Sequence, residues 1–235
     1  MAYEWNAGTV LRTSADGAIW SRPETVPGTG IWTGSCDEIE SIGEHPTIWM
    51  DFDCLVGAPP GLYVEGDLLY VFVALGRAPG HMGCYVGQKD GGAAGLEKCE
   101  SNPLFGAENG YGPVELLGSD ANEYFEFRTI SSADVVRAGD YYYMAYEGVR
   151  GPSAYDADYE DQYALGLARS VVLDGKWEKY EGNPIVADVS GNVGIGHGDL
   201  VVVGQATYLY AATSFEYSTV VGTRGRYVLV MLAAR

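Results

Sequence analysis

The stretch ISSADVVRAGDYYYMAYEG, residues 130–148, carries the main fold signal of this chain. Two runs rich in β-branched and aromatic residues flank Gly139 and Asp140, a pattern that predicts a β-hairpin with a tight turn. After a polar loop, the run at 163–170 and the segment at 176–186 predict a third and a fourth strand. A four-stranded antiparallel meander of this kind is typical of one blade of a β-propeller.

The same pattern recurs along the chain, which indicates repeated structural units. When Gly139 is aligned with Gly66 and Gly204, the second strands superimpose. They read DLLYVFVA at 67–74, DYYYMAYE at 140–147 and QATYLYAA at 205–212. Two copies also end alike, with EKCESNPLF at 97–105 and EKYEGNPIV at 178–186. We therefore predict homologous blades.

The two ends of the chain supply partial copies. Residues 1–4, MAYE, repeat residues 144–147, so 1–27 read as the second, third and fourth strands of a blade. Propellers commonly close when an N-terminal strand completes the last blade, which removes the exposed edges. The sequence predicts one all-β propeller domain, 1–235, with a partial blade at 1–27 and blades at about 57–105, 130–186 and 196–235.

Charge and hydropathy exclude some partners. The chain of 235 residues has a formal net charge of −18. Because an acidic surface repels phosphate backbones, we expect no nucleic-acid partner. No apolar run is long enough for a transmembrane helix, so we expect no membrane partner. The N-terminal MAYEWNAGTV lacks the basic start and apolar core of a signal peptide, which leaves the cytoplasm and secretion after processing both open.

The four cysteines, Cys36, Cys54, Cys84 and Cys99, allow three disulfide connectivities. Cys84 and Cys99 flank a Gly-rich turn inside one predicted hairpin and are a candidate local pair. Free buried thiols are the alternative. No C-x-x-C spacing occurs, so a zinc or thioredoxin-like site has little support.

The repeat alignment identifies side chains that are expected to lie together in the central channel. In a propeller the first strand of each blade lines the central channel. Asp134 and Asp199 take the same first-strand position, where the blade at 57–105 has Gly61. His197 lies two residues before Asp199 and is expected to point to the same side.

Glu147 ends a second strand in which the other full copies have alanine. A carboxylate in an apolar, Tyr-rich strand is costly to bury without a partner or a role. One alternative for Glu147 is an ion pair with Arg128 or Arg150. For Asp134 the alternative is capping of backbone N–H groups at a blade turn, and for His197 it is hydrogen bonding to the backbone.

The stretch HPTIWMDFDC, residues 45–54, lies in a long connection between blades. Asp51 and Asp53 are two residues apart and would share one side of a strand. They are general-base candidates or a solvated acidic edge. Trp49 is a candidate substrate contact, as is Asp199. The chain contains no nucleophile elbow, P-loop, dinucleotide fingerprint or H-E-x-x-H motif, which argues against other enzyme classes.

Together these motifs resemble the five-bladed β-propeller glycoside hydrolases of family 43, family 32 and their relatives. The resemblance rests on GDYYYMAYEG at 139–148, GLARS at 166–170, DGKWEK at 174–179, GNPI at 182–185 and GHGD at 196–199. It covers most of 57–235. It implies a five-bladed propeller that acts on glycosidic bonds.

The resemblance also implies roles for particular residues. Family 43 uses an Asp as general base, a Glu as general acid and a second Asp that raises the pKa of the acid, which agrees with the need for two carboxyls of different pKa. It implies Glu147 as general acid and Asp134 as modulator or base. Arg128 would contact a substrate hydroxyl or carboxylate. His197 resembles a histidine near a central calcium ion, so a structural calcium is expected and no other cofactor.

One element departs from the family pattern, because Ala58-Pro59-Pro60 stands where the family has Ala-Pro-Asp. The leading expectation is a glycosidase that hydrolyses an oligo- or polysaccharide. The alternative is a carbohydrate-binding propeller that has lost part of the catalytic set. Carbohydrate is the expected partner in both cases, and open blade edges would be covered in a homo-oligomer.

Overall fold

The structure, a computed structural model, is built from antiparallel β-sheets. It describes residues 1–5, 8–29, 60–75, 81–106, 125–126, 129–150, 162–187, 195–204, 206–214 and 226–229. The one helical element within these ranges is a short 3₁₀ turn, Ala93–Gly95. No helix in the described part is long and apolar enough to span a membrane. The predicted all-β class is confirmed.

The first two sheets lie in the N-terminal half. The first sheet contains, in spatial order, β1 (Ala2–Trp5), β2 (Gly8–Leu11) and β3 (Glu24–Thr25). The second contains β4 (Gly61–Glu65), β5 (Leu68–Leu75), β6 (His81–Gln88) and β7 (Glu97–Lys98), and β8 (Phe105–Gly106) also pairs with β6. Both are meanders in which sequential strands are neighbours.

The other two sheets repeat this order. The third contains β9 (Thr129–Ala138), β10 (Tyr141–Arg150), β11 (Gln162–Ser170) and β12 (Glu178–Lys179). The fourth contains β13 (Ile195–Val203), β14 (Ala206–Ser214) and β15 (Arg226–Leu229). The four-stranded meander expected from the sequence at 130–186 is therefore present.

The first hairpins of the second, third and fourth sheets have the same turn. Only two residues separate the last paired residues of the two strands in each case. The first of the two is a glycine with a positive φ, 62° at Gly66, 60° at Gly139 and 64° at Gly204. Since other residue types avoid this conformation, the recurrent glycine has a direct backbone cause.

The shared turn places equivalent residues at equivalent register. Asp134 stands opposite Ala145 on the neighbouring strand, and Asp199 stands opposite Tyr210. Gly61 takes the same position opposite Phe72. Each lies four residues before the end of its strand, so the alignment made from sequence holds in three dimensions.

The repeated Asn-Pro ends have a common structural reason. The side-chain amide of Asn102 accepts a hydrogen bond from the Cys84 N–H (2.8 Å) and donates one to the Cys84 carbonyl (2.9 Å). Asn183 makes the same two bonds with Leu167, at 2.8 and 2.9 Å. The amide side chain thus pairs with the third strand as a backbone residue would.

Cys84 and Cys99 form a disulfide bond, which connects β6 to the residue after β7. The candidate local pair is confirmed, and these two thiols are not free. The third sheet has Leu167 and Tyr180 at the equivalent places, joined by the Tyr180 N–H bond to the Leu167 carbonyl (2.9 Å). The other two cysteines lie outside the described residues.

Three apolar cores lie between successive sheets. The core between the first and second sheets contains Leu11, Val26, Val71, Val73, Tyr85, Ala93 and Leu96. The largest core, between the second and third, includes Phe72, Met82, Leu104, Phe105, Ile130, Met144, Tyr146 and Trp177. The core between the third and fourth contains Ala145, Leu165, Ile195, Leu200, Leu209 and Ala211. The sheets therefore pack side by side in chain order, as the blades of a propeller do.

Candidate functional site

The first strands of the third and fourth sheets each contain a β-bulge. On β9 the register shifts between Tyr146, opposite Ala133, and Glu147, opposite Ser131, which leaves Ser132 unpaired. On β13 the register shifts between Gly196 and Asp199. A bulge adds one residue to a strand and redirects the side chains beside it.

Both bulges contain a residue in the left-handed region. Ser132 has φ 44° and His197 has φ 51°. Each lies two residues before an aspartate, Asp134 and Asp199, so the distortion repeats with the blade. Residues with a side chain rarely adopt positive φ, and such strained positions concentrate at functional sites.

Glu147 is buried at the joint between the third and fourth sheets, with 3% of its surface exposed. Its Oε1 accepts a hydrogen bond from the Ser131 hydroxyl at 2.6 Å. Its Oε2 accepts one from the backbone N–H of His197 at 2.9 Å. Two charge-assisted hydrogen bonds therefore compensate part of the cost of burying this carboxylate.

Gly196 makes this arrangement sterically feasible. A Cβ placed on residue 196 would lie 1.9 Å from Oε2 of Glu147. Any larger residue would therefore push the carboxylate away from His197. Gly196 therefore allows the Glu147 carboxylate to lie close to the backbone of β13.

Asp134 is partly buried on β9, and its Oδ2 accepts a hydrogen bond from the Leu200 N–H at 2.7 Å. Burial raises the pKa of this carboxyl to about 6, and the charge of Asp199 adds to the rise. The backbone N–H groups of Leu200 and Val135 act in the opposite direction. Burial dominates because it disfavours the charged form more than two N–H groups favour it.

Asp199 is exposed and carries a second raised pKa. Partial desolvation is the larger cause, and nearby His197 opposes it. Two carboxyls with raised pKa values therefore stand at equivalent places on neighbouring first strands. A carboxyl that keeps its proton near pH 6 can donate that proton in general acid catalysis, and its conjugate base can accept one.

The structure brings together four of the eight residues predicted from the sequence, Glu147, Asp134, Asp199 and His197. The other four, Asp51, Asp53, Trp49 and Arg128, lie outside the described residues, so their roles stay predictions. The alternative for Asp134 was a bond to backbone N–H groups, and the Leu200 contact is of that type. Glu147 accepts its hydrogen bonds from a hydroxyl and a backbone N–H.

Sequence reasoning missed Ser131, Gly196 and Leu200. Leu200 contributes only a backbone N–H, which no residue pattern can reveal. Ser131 lies three residues before Asp134 on β9 and gave no signal apart from polarity in an apolar strand. Gly196, within the GIGHGD segment, offered the one available signal, since a glycine inside a strand often marks a bulge or a close approach.

The calcium ion that the resemblance implies would lie near His197. Calcium prefers six to eight oxygen ligands. Among the described residues, the one group of three potential ligand side chains is Cys84, Cys99 and Asp174, and both sulfurs there belong to the disulfide. The described residues around His197 supply no such group of three side chains, and the structural calcium stays a prediction.

Comparison with known proteins gives a match at the level of structure. No protein-family model matches the chain, and no curated protein matches it. The fold is similar to the catalytic domain of a GH62 α-L-arabinofuranosidase from Coprinopsis cinerea, with TM-score 0.55, 14% identity, and coverage of 97% of this chain and 66% of that one.

Two further structures are similar to the chain. A Bombyx mori GH32 β-fructofuranosidase in complex with sucrose has TM-score 0.52 and 16% identity, covering 96% of this chain and 40% of that one. A glycoside hydrolase has TM-score 0.53 and 14% identity, with 94% and 60% coverage. The chain thus spans about two thirds or less of the length of these proteins.

These similarities define the class of fold. The chain has a β-propeller type of fold similar to that of these glycoside hydrolases, as the sequence motifs predicted. The described strands form four neighbouring sheets of this architecture. The division into a single domain, 1–235, stays a prediction.

Proposed function

We propose that this protein is a glycoside hydrolase that cleaves an oligo- or polysaccharide, with Asp134 as the carboxyl that exchanges a proton with the substrate. The observation that carries the proposal is the pKa of Asp134, raised to about 6 by burial, on a first strand of a glycoside hydrolase fold. A glycosidase needs one carboxyl that is protonated at working pH and a second that is ionised.

Asp134 is favoured over Glu147 as the proton donor on grounds of access. Asp134 is partly exposed, whereas 3% of the surface of Glu147 is exposed and both of its oxygens accept hydrogen bonds. A general acid must come within hydrogen-bonding distance of the leaving oxygen. Among the described residues, Asp199 is the candidate for the second, ionised carboxyl. Asp51 and Asp53 are further candidates for the same role.

The test is hydrolysis of a panel of aryl glycosides by the wild-type protein and by Asp134→Asn. We expect wild-type turnover on at least one sugar and a loss of about 10²–10⁴-fold in kcat for the variant, the range of one general acid–base group. Asp140→Asn is the matched control, because Asp140 is exposed at the turn of the same hairpin. Equal activity of Asp134→Asn and wild type would contradict the role of Asp134.

A second candidate function is sugar binding without hydrolysis. It is favoured by the contacts of Glu147, the residue that the family resemblance marks as general acid, since both of its oxygens are occupied by the protein itself. Calorimetric titration with the sugars of the panel separates the two functions. Binding without turnover by the wild-type protein would support the second candidate and exclude the first.

A further inference from the structure

Two carboxylates of the third sheet bind the backbone of β13, one inside its bulge and one directly after it. Glu147 accepts the N–H of His197 at 2.9 Å, and Asp134 accepts the N–H of Leu200 at 2.7 Å. The register shift of β13 lies between Gly196 and Asp199, so the first contact is within the distorted segment and the second is at the residue that follows it. The bulge is held by side chains of the neighbouring sheet.

The Glu147 contact acts on the strained residue itself. His197 has φ 51°, a conformation that persists when surrounding contacts enforce it. The carboxylate that binds its N–H is in turn oriented by Ser131 and lies where a side chain on Gly196 would have to be. The bulge and the carboxylate therefore define each other's position.

We propose that Glu147 is a positioning residue, which fixes the bulge of β13 and thereby holds the Leu200 N–H and Asp199 against Asp134. The inference rests on the proposed function, in which Asp134 exchanges the proton. Glu147 acts through the neighbouring strand and is too deeply buried to contact a substrate. Ser131 assists by orienting the carboxylate.

Substitutions of Glu147 distinguish positioning from proton transfer. In Glu147→Gln the amide oxygen can still accept the His197 N–H, and the amide nitrogen can donate to Ser131, whereas Glu147→Ala keeps neither bond. We expect kcat/KM of Glu147→Gln to stay within about fivefold of wild type. We expect a decrease of about 10²-fold in Glu147→Ala, mainly in kcat, the size that a displaced catalytic group can cause. Equal and large losses in both variants would identify Glu147 as the reacting acid and overturn the proposal.

Two further variants address stability and steric fit. Met144→Ala removes a fully buried side chain from the other face of β10, away from β13, and its folded fraction is expected to keep wild-type kcat. Gly196→Ala keeps the carboxylate but forces it off His197, so its kcat should fall as in Glu147→Ala. Wild-type kcat in folded Gly196→Ala would contradict the proposal.

Amide hydrogen exchange, measured by NMR, tests the contact without any substrate. In Glu147→Ala we expect the His197 and Leu200 amides to exchange about tenfold faster than in wild type, the effect of losing one hydrogen bond. In Glu147→Gln their exchange should be unchanged. Unchanged His197 exchange in Glu147→Ala would refute the contact, and faster exchange at His197 alone would refute its link to Asp134. If wild type hydrolysed no sugar, the proposed function would fail. The exchange rates would still test whether Glu147 fixes the bulge of β13.

Discussion

The sheet at 61–106 and the sheet at 129–186 have the same hairpin register, yet each joins the following sheet by a different kind of contact. Gly61 lies so close to β9 that a Cβ on it would come 2.1 Å from the carbonyl oxygen of Ala133. The equivalent Asp134 extends its carboxylate to the Leu200 N–H of β13. One joint is backbone against backbone, and the other is bridged by a side chain.

The second strands differ in the same way. Ala74 of β5 is buried, whereas the equivalent Glu147 of β10 binds the backbone N–H of His197. At Gly61 there is no room for a carboxylate, whereas Glu147 and Asp134 reach the backbone of β13 at the other joint. The candidate site therefore lies at the joint that carboxylates bridge.

The largest expected effect comes from adding a side chain to the close joint. Gly61→Ala places a methyl group against the backbone of Ala133, which cannot move without shifting β9. We expect a loss of about 3 kcal/mol or more in the free energy of unfolding, as for severe overpacking. Urea denaturation measures it. Gly95→Ala is the control, since a Cβ there meets nothing within 4 Å, and an equal loss in both variants would contradict the close-contact interpretation.

The disulfide is the next difference between the two sheets. The Cys84–Cys99 bond closes a loop with a sequence separation of 15 residues, for which the chain-entropy model gives about 3 kcal/mol. We expect Cys84→Ala/Cys99→Ala to lose about 2–3 kcal/mol in urea denaturation and to keep its sheet register, because the third sheet holds Leu167 and Tyr180 with a backbone bond alone. Complete unfolding of the double variant at neutral pH would show that the backbone contacts are insufficient.

The smallest expected effect concerns the charge of Asp134. Its pKa is raised from 3.8 to about 6, so the folded protein binds this proton more tightly than the unfolded chain. The stabilisation is complete below pH 3.8 and is lost as the pH rises through about 6. Asp134→Asn should therefore raise the free energy of unfolding at pH 7 by about 1–2 kcal/mol, part of the roughly 3 kcal/mol that the shift represents.

Unfolding of Asp134→Asn and wild type by urea at several pH values between 4 and 8 checks this prediction, because most of the difference should arise between pH 4 and the folded-state pKa of about 6. Asp140→Asn is again the control, with an expected change within about 0.5 kcal/mol at every pH. A destabilised Asp134→Asn at pH 7 would mean that the carboxylate bond to Leu200 outweighs the cost of burial.

Local residue patterns were sufficient for the main strands and for the register beside the hairpin turns, but not for the bulges of β9 and β13. The Gly-Asp turns and the alternation of apolar residues act within a few residues of one another, so the hairpins and the equivalence of Asp134 and Asp199 follow from the sequence. Repetition then pointed to Glu147, since an acid where other copies have alanine requires a partner.

The partners themselves depended on how the sheets pack. His197 lies 50 residues from Glu147, and Leu200 lies 66 residues from Asp134. Their contributions are backbone N–H groups, which every residue except proline carries. Because β13 is at the edge of its sheet, the N–H groups that do not pair with β14 can face the neighbouring sheet. The sequence therefore specified the blades and the acidic residues. The packing of one blade on the next determined that Glu147 is buried between them and that Asp134 stays partly exposed.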